Sequence, residues 1–192
     1  MTVVAINKDP ARLSLTLDAE FDASPERVWE LWSDPRQLER WWGPPMYPAT
    51  VTAHDLRPGG RIEYHMTGPE GDQPRGYWQV LEADPPYRLV FRDGFSDADG
   101  RPNTDMPLTD VQVTIGALGA GRTRMSIESR FPDSAAMEQL LAMGMEQGLR
   151  EAVGQIDGIL AEEPATPVVG GGECGLTAPV TPSDGRTQGV TR

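Results

Sequence analysis

One stretch, Ser134 to Ala161, constrains the fold of this chain most, because only there does a helical period persist for many turns. Its apolar residues recur at steps of three or four and therefore lie on one face of a helix: Met137, Leu141, Met145, Leu149, Val153, Ile156 and Leu160. On the polar face, Glu146 and Arg150 form an i,i+4 pair in the favourable order. Such a helix needs a broad apolar surface to cover, and the residues before it alternate mainly as strands do. The pattern predicts a curved sheet wrapped around one long C-terminal helix.

The composition of the chain limits the partners that it can bind. Its 29 acidic residues outnumber its 17 basic residues, and the net charge of −12 argues against a nucleic-acid partner. The sequence contains no apolar run of about 18 residues and no leader-like start, so we expect neither a membrane-spanning helix nor a signal peptide. The single cysteine, Cys174, excludes an internal disulfide. Together these features predict a cytoplasmic protein without a membrane partner.

The chain divides into three parts by composition and period. Residues 1–10 show no period and are predicted to be a loose lead-in. Residues 11–161 carry all the periodic segments and are predicted to be one domain. Residues 162–192 are rich in proline, glycine and threonine and contain no aromatic residue, so we expect a disordered tail.

The domain begins with a strand and two short helices. Leu13 to Phe21 alternates between apolar and polar residues, as a half-buried strand does. Ser24-Pro25-Glu26 and Asp34-Pro35 each combine a capping side chain with proline in the first turn, which is typical of a helix start. Gly43-Pro44-Pro45 ends the second helix.

Alternation and turn residues predict further strands at 51–57, 61–67, 76–81, 87–91, 111–115 and 125–131, about seven in total with the first. Gly59-Gly60 predicts a two-residue hairpin turn. That turn would place Asp55 opposite Tyr64 and His54 opposite His65. The segment 93–107 has no period and is predicted to be a mobile flap.

Four local motifs stand in this order along the chain: 21–29 (FDASPERVW), 40–44 (RWWGP), 55–60 (DLRPGG) and 84–91 (DPPYRLVF). Together with the element order, they resemble the family named after the C-terminal domain of the activator of the heat shock protein 90 ATPase. That family lies within the START-like (SRPBCC) superfamily, and the resemblance covers about residues 11–161. It implies an α+β helix-grip fold.

The resemblance also implies a range of functions. Members of the family look like containers for apolar or aromatic small molecules, a minority are enzymes of polyketide-like metabolism, and the eponymous protein is a co-chaperone. The last helix of the family often carries a Gly-Trp pair, whereas Gly144-Met145 stands at this position. Methionine fills irregular space, so we expect a more adaptable pocket floor.

Small residues on the apolar face of the last helix allow two interpretations. Gly148 and Ala152 either let a strand approach closely or leave empty volume above the sheet. Of the adjacent Trp41 and Trp42, one is expected to pack on the sheet and the other to lie near a pocket mouth. If the volume is empty, the candidate ligand-binding residues are Trp41, Trp42, Tyr64, Met66, Trp78, Phe91, Met125, Met137, Leu141, Met145 and Gly148, although for any one of them alone plain core is the favoured interpretation.

Few residues offer catalytic or metal-binding chemistry. The domain has no lysine for a Schiff base, and Cys174 lies in the tail. Asp55 beside Tyr64 could act as an acid or base, but a structural pair between Asp55 and Arg57 or Arg61 is the favoured interpretation. The His54 and His65 pair lies on the face assigned to solvent, so no metal site and no cofactor are predicted.

The sequence therefore favours a small-molecule binding protein that holds an apolar or aromatic ligand between the sheet and the last helix, without a catalytic role. The first alternative is a cyclase or hydratase that uses Asp55 and Tyr64. The second is an activator of a chaperone ATPase, ranked last because residues 1–10 leave no room for the additional N-terminal domain of the eponymous protein. A homodimer through an exposed sheet face or tryptophan is compatible with the sequence.

Overall fold

A single antiparallel sheet organises the chain in the computed structural model, which describes residues 3–162. Its eight strands are β1 Val3–Asp9, β2 Ser14–Phe21, β3 Ala49–His54, β4 Arg61–Met66, β5 Arg75–Asp84, β6 Arg88–Ser96, β7 Thr109–Gly119 and β8 Arg122–Arg130. The spatial order is β1-β2-β8-β7-β6-β5-β4-β3. The predicted α+β helix-grip class is confirmed, and the predicted count of about seven strands was one too low.

The additional strand, β1, corrects the prediction of a loose lead-in. It pairs with β2, and Ile6 stands opposite Leu17 at the edge of the sheet. Lys8 binds Glu146 across a gap of 2.7 Å between nitrogen and oxygen, which ties this edge to the C-terminal helices. The sequence of β1 lacks strict alternation because an edge strand buries only part of one face, so periodicity alone could not detect it.

Two short helices follow β2, as predicted. Helix α1 spans Pro25–Ser33, and the hydroxyl of its N-cap, Ser24, accepts a hydrogen bond from the Arg27 backbone N–H at 3.3 Å. Helix α2 spans Pro35–Leu38 and is capped in the same way by Asp34. The capping residues therefore define the start of both helices.

The predicted single C-terminal helix is interrupted. The structure contains α3 Ser134–Ala142, α4 Met145–Gly154 and α5 Ile156–Glu162. Gly144 separates α3 from α4 and has a φ of 89°, a left-handed conformation that ends a helix. The apolar period continues across this break, so the spacing of side chains did not reveal it.

The hairpin of β3 and β4 has a different register from the predicted one. Val51 stands opposite Tyr64, a bulge follows, and His54 stands opposite Ile62. The Gly60 backbone N–H donates to the Arg57 carbonyl at 2.7 Å, so the turn is longer than the two-residue turn that Gly59-Gly60 predicted. The bulge and this turn shift every pair near the end of the hairpin.

The segment predicted to be a flap begins later than expected. Strand β6 continues to Ser96, so residues 93–96 belong to the sheet. In the loop that follows, the Asp97 carboxylate accepts hydrogen bonds from the Asp99 and Arg101 backbone N–H groups, each at 2.9 Å. The loop is therefore shorter than predicted and carries a side-chain-stabilised turn.

The concave side of the sheet holds two apolar clusters. The larger one contains fully buried aromatic rings, among them Trp32, Trp78 and Phe91. The smaller one contains Leu15, Phe131, Met137 and Leu140. The larger cluster includes residues of α4 and α5, and the smaller one includes residues of α3.

Two further expectations concerned the C-terminal tail and membrane-spanning helices. The predicted tail from residue 163 onward, with Cys174, lies outside the described residues. Within residues 3–162, no helix is both long and apolar enough to cross a membrane.

Candidate ligand-binding cavity

A cavity of about 320 Å³ lies between the concave face of the sheet and helices α3 and α4. Most of the side chains around it are apolar. It is lined by Trp42, Gly43, Pro44, Tyr64, Met66, Asp93, Phe95, Thr109, Val111, Ile127, Ser129, Leu140, Met143, Gly144, Met145, Gly148, Leu149 and Ala152. A space of this size is comparable to the lower end of small-molecule pockets.

The small residues of α4 open this cavity. A Cβ atom added to Gly148 would meet no other atom within 4 Å, so no strand approaches the helix at this point. Gly148 and Ala152 both line the cavity. Of the two interpretations that the sequence allowed, the empty volume is confirmed and the close strand approach is wrong.

The predicted division between the adjacent tryptophans is confirmed. Trp41 is fully buried, and its indole N–H donates to the Leu31 carbonyl at 3.0 Å. Trp42 is half-buried and lines the cavity. Adjacent side chains at a helix end point in different directions, so only one of the two reaches the cavity.

Of the eleven candidate ligand-binding residues, the structure places Trp42, Tyr64, Met66, Met145 and Gly148 in the cavity wall. The remaining six do not line it: Trp41, Trp78, Phe91, Met125, Met137 and Leu141.

Dense packing explains several of these six positions. Trp78 stacks on Phe91 with 4.2 Å between ring centroids. The Met125 sulfur lies 3.3 Å from the Trp32 indole nitrogen, as an acceptor. These side chains form solid core, which spacing in the sequence does not distinguish from a cavity wall.

A partly buried polar pair occupies one part of the wall. The Tyr64 hydroxyl donates a hydrogen bond to the Asp93 carboxylate at 3.2 Å. Both residues line the cavity. Gly76, opposite Tyr64 in β5, provides room for this phenol, because a Cβ atom there would lie 2.4 Å from the Tyr64 oxygen.

Asp93 was not among the predicted site residues, although the sequence contains a signal for it. Leu89, Phe91 and Phe95 occupy alternate positions of β6, and Asp93 holds the inward position between the two phenylalanines. The prediction ended this strand at Phe91 because the segment that begins at Asp93 shows no period. Continuation of the two-residue period to Phe95 would have placed Asp93 inside.

Burial controls the protonation of this pair. Desolvation raises the pKa of Asp93 to about 7, while the donor groups of Tyr64, the Gly94 backbone and Trp78 oppose the rise. Burial, together with the nearby Asp93 charge, also raises the pKa of Tyr64 well above its ordinary value. Tyr64 therefore remains a hydrogen-bond donor, and Asp93 changes charge near neutral pH.

Two indole N–H groups border the same pair. The Trp42 and Trp78 rings lie 6.0 and 6.2 Å from the Tyr64 ring, centroid to centroid. Both indole nitrogens are buried and lack a hydrogen-bond partner of normal geometry among the described residues. Their N–H donors lower the pKa of Tyr64 against the larger rise that burial causes. The polar end of the cavity is thus rich in donors.

Asp55 does not join this site, and the prediction that it lies beside Tyr64 is wrong. Its backbone N–H donates to the Arg61 carbonyl at 3.0 Å, because the bulge shifts the hairpin register. The Arg57 guanidinium donates to the Asp55 carboxylate at 2.7 and 3.0 Å and lowers its pKa. The favoured structural interpretation, a pair with Arg57, is confirmed.

The two histidines are not cross-strand neighbours either. His65 stands opposite Thr50, and His54 stands opposite Ile62. A ring nitrogen of His54 lies 3.1 Å from the Trp32 carbonyl oxygen. Across residues 3–162, no cluster of three histidine, cysteine or acidic side chains is arranged to hold a metal ion.

The sheet, the helices and the enclosed apolar space define a helix-grip protein. Residues 22–161 match the family described as activator of Hsp90 ATPase homolog 1-like protein, and the chain belongs to this family, within the START-like (SRPBCC) superfamily. Membership supports a ligand-binding fold.

Solved structures agree with this assignment. A protein from Arthrobacter aurescens, solved by NMR, is 48% identical, with a TM-score of 0.81 over 84% of this chain and 94% of that one. A protein from Mycobacterium smegmatis, solved by crystallography, is 43% identical, with a TM-score of 0.77 over 85% of this chain and 99% of that one. Comparison with curated proteins finds no match.

Proposed function

We propose that this protein binds an apolar or aromatic small molecule in the cavity between the sheet and helices α3 and α4. The observation that carries the proposal is the 320 Å³ space itself, walled mainly by apolar side chains. Burial of apolar surface contributes roughly 25 cal/mol per Å², so a ligand that fills such a space gains substantial affinity. Family membership supports the same conclusion.

The wall of the cavity can adjust its shape to the ligand. Met66, Met143 and Met145 contribute flexible thioether side chains, and Met143 is 58% exposed. Gly144 places a break in the helix at the same point. Methionines beside a helix break can adjust to ligands of different outline.

A substitution that fills the cavity tests the proposal. In a fluorescence titration with N-phenyl-1-naphthylamine, wild-type protein should bind the probe, whereas Gly148→Met should bind it at least about tenfold more weakly, because the new side chain occupies the space. Gly154→Met is the matched control, since Gly154 lies in the same helix, is exposed and has no atom within 4 Å of an added Cβ. Equal binding by all three proteins, or none by wild type, would contradict the proposal.

A second candidate function is acid–base catalysis, which the Asp93 and Tyr64 pair favours. The pKa of Asp93 is about 7, as a general base at neutral pH requires, and the carboxylate lines the cavity. Asp93 replaces Asp55 in the cyclase or hydratase alternative. In such a reaction, the Asp93 carboxylate would take a proton from a carbon next to a carbonyl group and leave an enolate.

Deuterium exchange tests this second candidate. Wild-type protein in D₂O should accelerate the loss of the α-protons of 2-tetralone, as followed by NMR, and Asp93→Asn should not. Gly154→Met serves again as the control. Acceleration that persists in Asp93→Asn would remove Asp93 from the role, and no acceleration by wild type would leave binding as the better account.

Three broader expectations remain proposals. A cytoplasmic location is supported by the composition and is tested by cell fractionation. A homodimer is tested by native mass spectrometry. Activation of a chaperone ATPase, which the family description suggests, is tested by an ATPase assay with purified chaperone.

A further inference from the structure

The cavity contains a carboxyl group without a cation to pair with it. Among the side chains that line the cavity, only Asp93 and Tyr64 titrate, and none belongs to lysine, arginine or histidine. The groups that influence the pKa of Asp93 are Tyr64, the Gly94 backbone and Trp78, all of them neutral. A buried carboxylate that lacks a cation is costly, and a ligand that supplies one recovers part of that cost.

Aromatic rings stand beside this carboxyl group. Trp42, Tyr64 and Phe95 all line the cavity with Asp93. Tyr64 is hydrogen-bonded to Asp93, and Phe95 lies two residues further along the same strand. The faces of tryptophan, tyrosine and phenylalanine rings attract ammonium groups, most strongly where water is excluded.

The charge of the protein discriminates against the opposite class of ligand. A fatty acid or another anion would bring a second negative charge into a cavity that holds Asp93 and no basic side chain among its lining residues. The whole chain carries a net charge of −12, which repels anions and attracts cations at longer range. An anion would therefore meet unfavourable charge both inside and outside the cavity.

We infer that the cavity is selective for hydrophobic cations, that is, amines or quaternary ammonium compounds with an apolar or aromatic body. The cationic head group contacts the Asp93 carboxylate and the rings of Trp42 and Tyr64, and the body lies against the methionines and Gly148. This inference rests on the proposed binding function and names the ligand class for the same cavity.

The affinity of the cavity for a cation should depend on pH. Asp93 must be ionised to attract the cation, and its pKa is about 7. The other elements around it contribute no charged group, because Tyr64 of β4 stays protonated and the lining residues of β7, β8, α3 and α4 do not titrate. Affinity for a permanent cation should therefore rise between pH 6 and pH 8 and level off above.

A pair of ligands of equal shape tests the inference. Benzyltrimethylammonium and neopentylbenzene differ only in a charged nitrogen that replaces a neutral carbon, and each can compete with N-phenyl-1-naphthylamine for the cavity. The proteins to compare are wild type, Asp93→Asn and Asp110→Asn. Asp110 is an exposed carboxylate on β7 that pairs with Arg92 at 3.1 Å, so its removal changes the net charge equally without reaching the cavity.

At pH 8.5, Asp93→Asn should weaken benzyltrimethylammonium about tenfold and change neopentylbenzene less than about twofold, while Asp110→Asn should leave both unchanged. A shift from pH 8.5 to pH 5.5 should weaken the cation about tenfold for wild type and have no such effect on Asp93→Asn.

Two outcomes would overturn the inference and leave the proposed function intact: the neutral ligand displaces the probe while the cation does not, or the cation binds Asp93→Asn as tightly as wild type. Failure of the probe itself to bind would instead remove the proposed function.

Discussion

The concave side of the sheet is solid at one end and hollow at the other. At the solid end, Trp32, Trp78 and Phe91 are fully buried, with ring centroids 4.2 to 6.4 Å apart. At the hollow end, Met66, Met145 and Gly148 border a 320 Å³ cavity. Both ends lie on the same sheet, so the size and stiffness of the side chains decide where space remains.

The two ends contribute differently to stability and to binding. Rigid aromatic rings contribute a large buried area and stabilise the fold. Small residues and methionines contribute less to stability and leave room for a ligand. Substitutions at the two ends should therefore separate stability from binding.

The largest expected effect is at the solid end. Trp78→Ala should lower the free energy of unfolding by roughly 3 to 5 kcal/mol, because it removes a fully buried ring that stacks on Phe91. Met145→Ala, at the half-buried wall of the cavity, should cost about 1 kcal/mol and should change probe binding instead. Urea denaturation measures both, and equal losses would show that the two ends do not differ.

The next effect concerns the polar group within the hollow end. The pKa of Asp93 is raised to about 7 in the folded protein, so the folded state holds its proton more tightly than the unfolded state does. Wild type should therefore lose stability as pH rises from about 4 to about 7, and Asp93→Asn should remove this loss. At pH 8, Asp93→Asn should be more stable than wild type, because it removes the charge that burial disfavours. The difference should be on the order of 2 kcal/mol, reduced because the cavity partly screens that charge.

Thermal unfolding of both proteins at pH 4 and pH 8 checks this second prediction. The two curves should nearly coincide at pH 4 and separate at pH 8. A wild-type protein that gains stability relative to Asp93→Asn as pH rises would show that the carboxylate is stabilised rather than strained by its surroundings.

The smallest expected effects distinguish the glycines of the C-terminal helices. Gly144→Ala should lower the free energy of unfolding by roughly 1 kcal/mol, because alanine disfavours a φ of 89°. Gly148→Ala and Gly154→Ala should each raise it by roughly 0.5 to 1 kcal/mol, since both are helical positions with open space around them. Chemical denaturation measures the stability of all three variants. A loss of stability in Gly148→Ala would show that the interior is packed at this position.

Much of the fold could be predicted from the sequence. The capping residues Ser24 and Asp34 identified both short helices, and two-residue alternation identified most strands. The edge strand β1 was not predicted, because it buries only part of one face and its sequence therefore lacks strict alternation. The break at Gly144 escaped because Met137, Leu141 and Met145 keep their spacing on either side of it, whereas a backbone angle leaves no trace in that spacing.

The candidate site could be predicted only in part. Gly148 was identified because a small residue amid larger ones on an apolar face implies space, and Met145 because it lies on the same face. Trp78 and Phe91 were misplaced because stacking between two rings depends on rotamers, which the order of residues does not determine. Asp93 was missed because the segment from 93 onward shows no apolar period and was assigned to a loop, although this carboxylate makes the cavity chemically distinctive.

Native mass spectrometry of the protein purified from its own cells tests the central claim, that the hollow end holds a small molecule, most directly. Wild type and Gly154→Met should carry the same additional mass per chain, and Gly148→Met should carry none. An additional mass on all three proteins, or a bare wild-type chain, would contradict the claim.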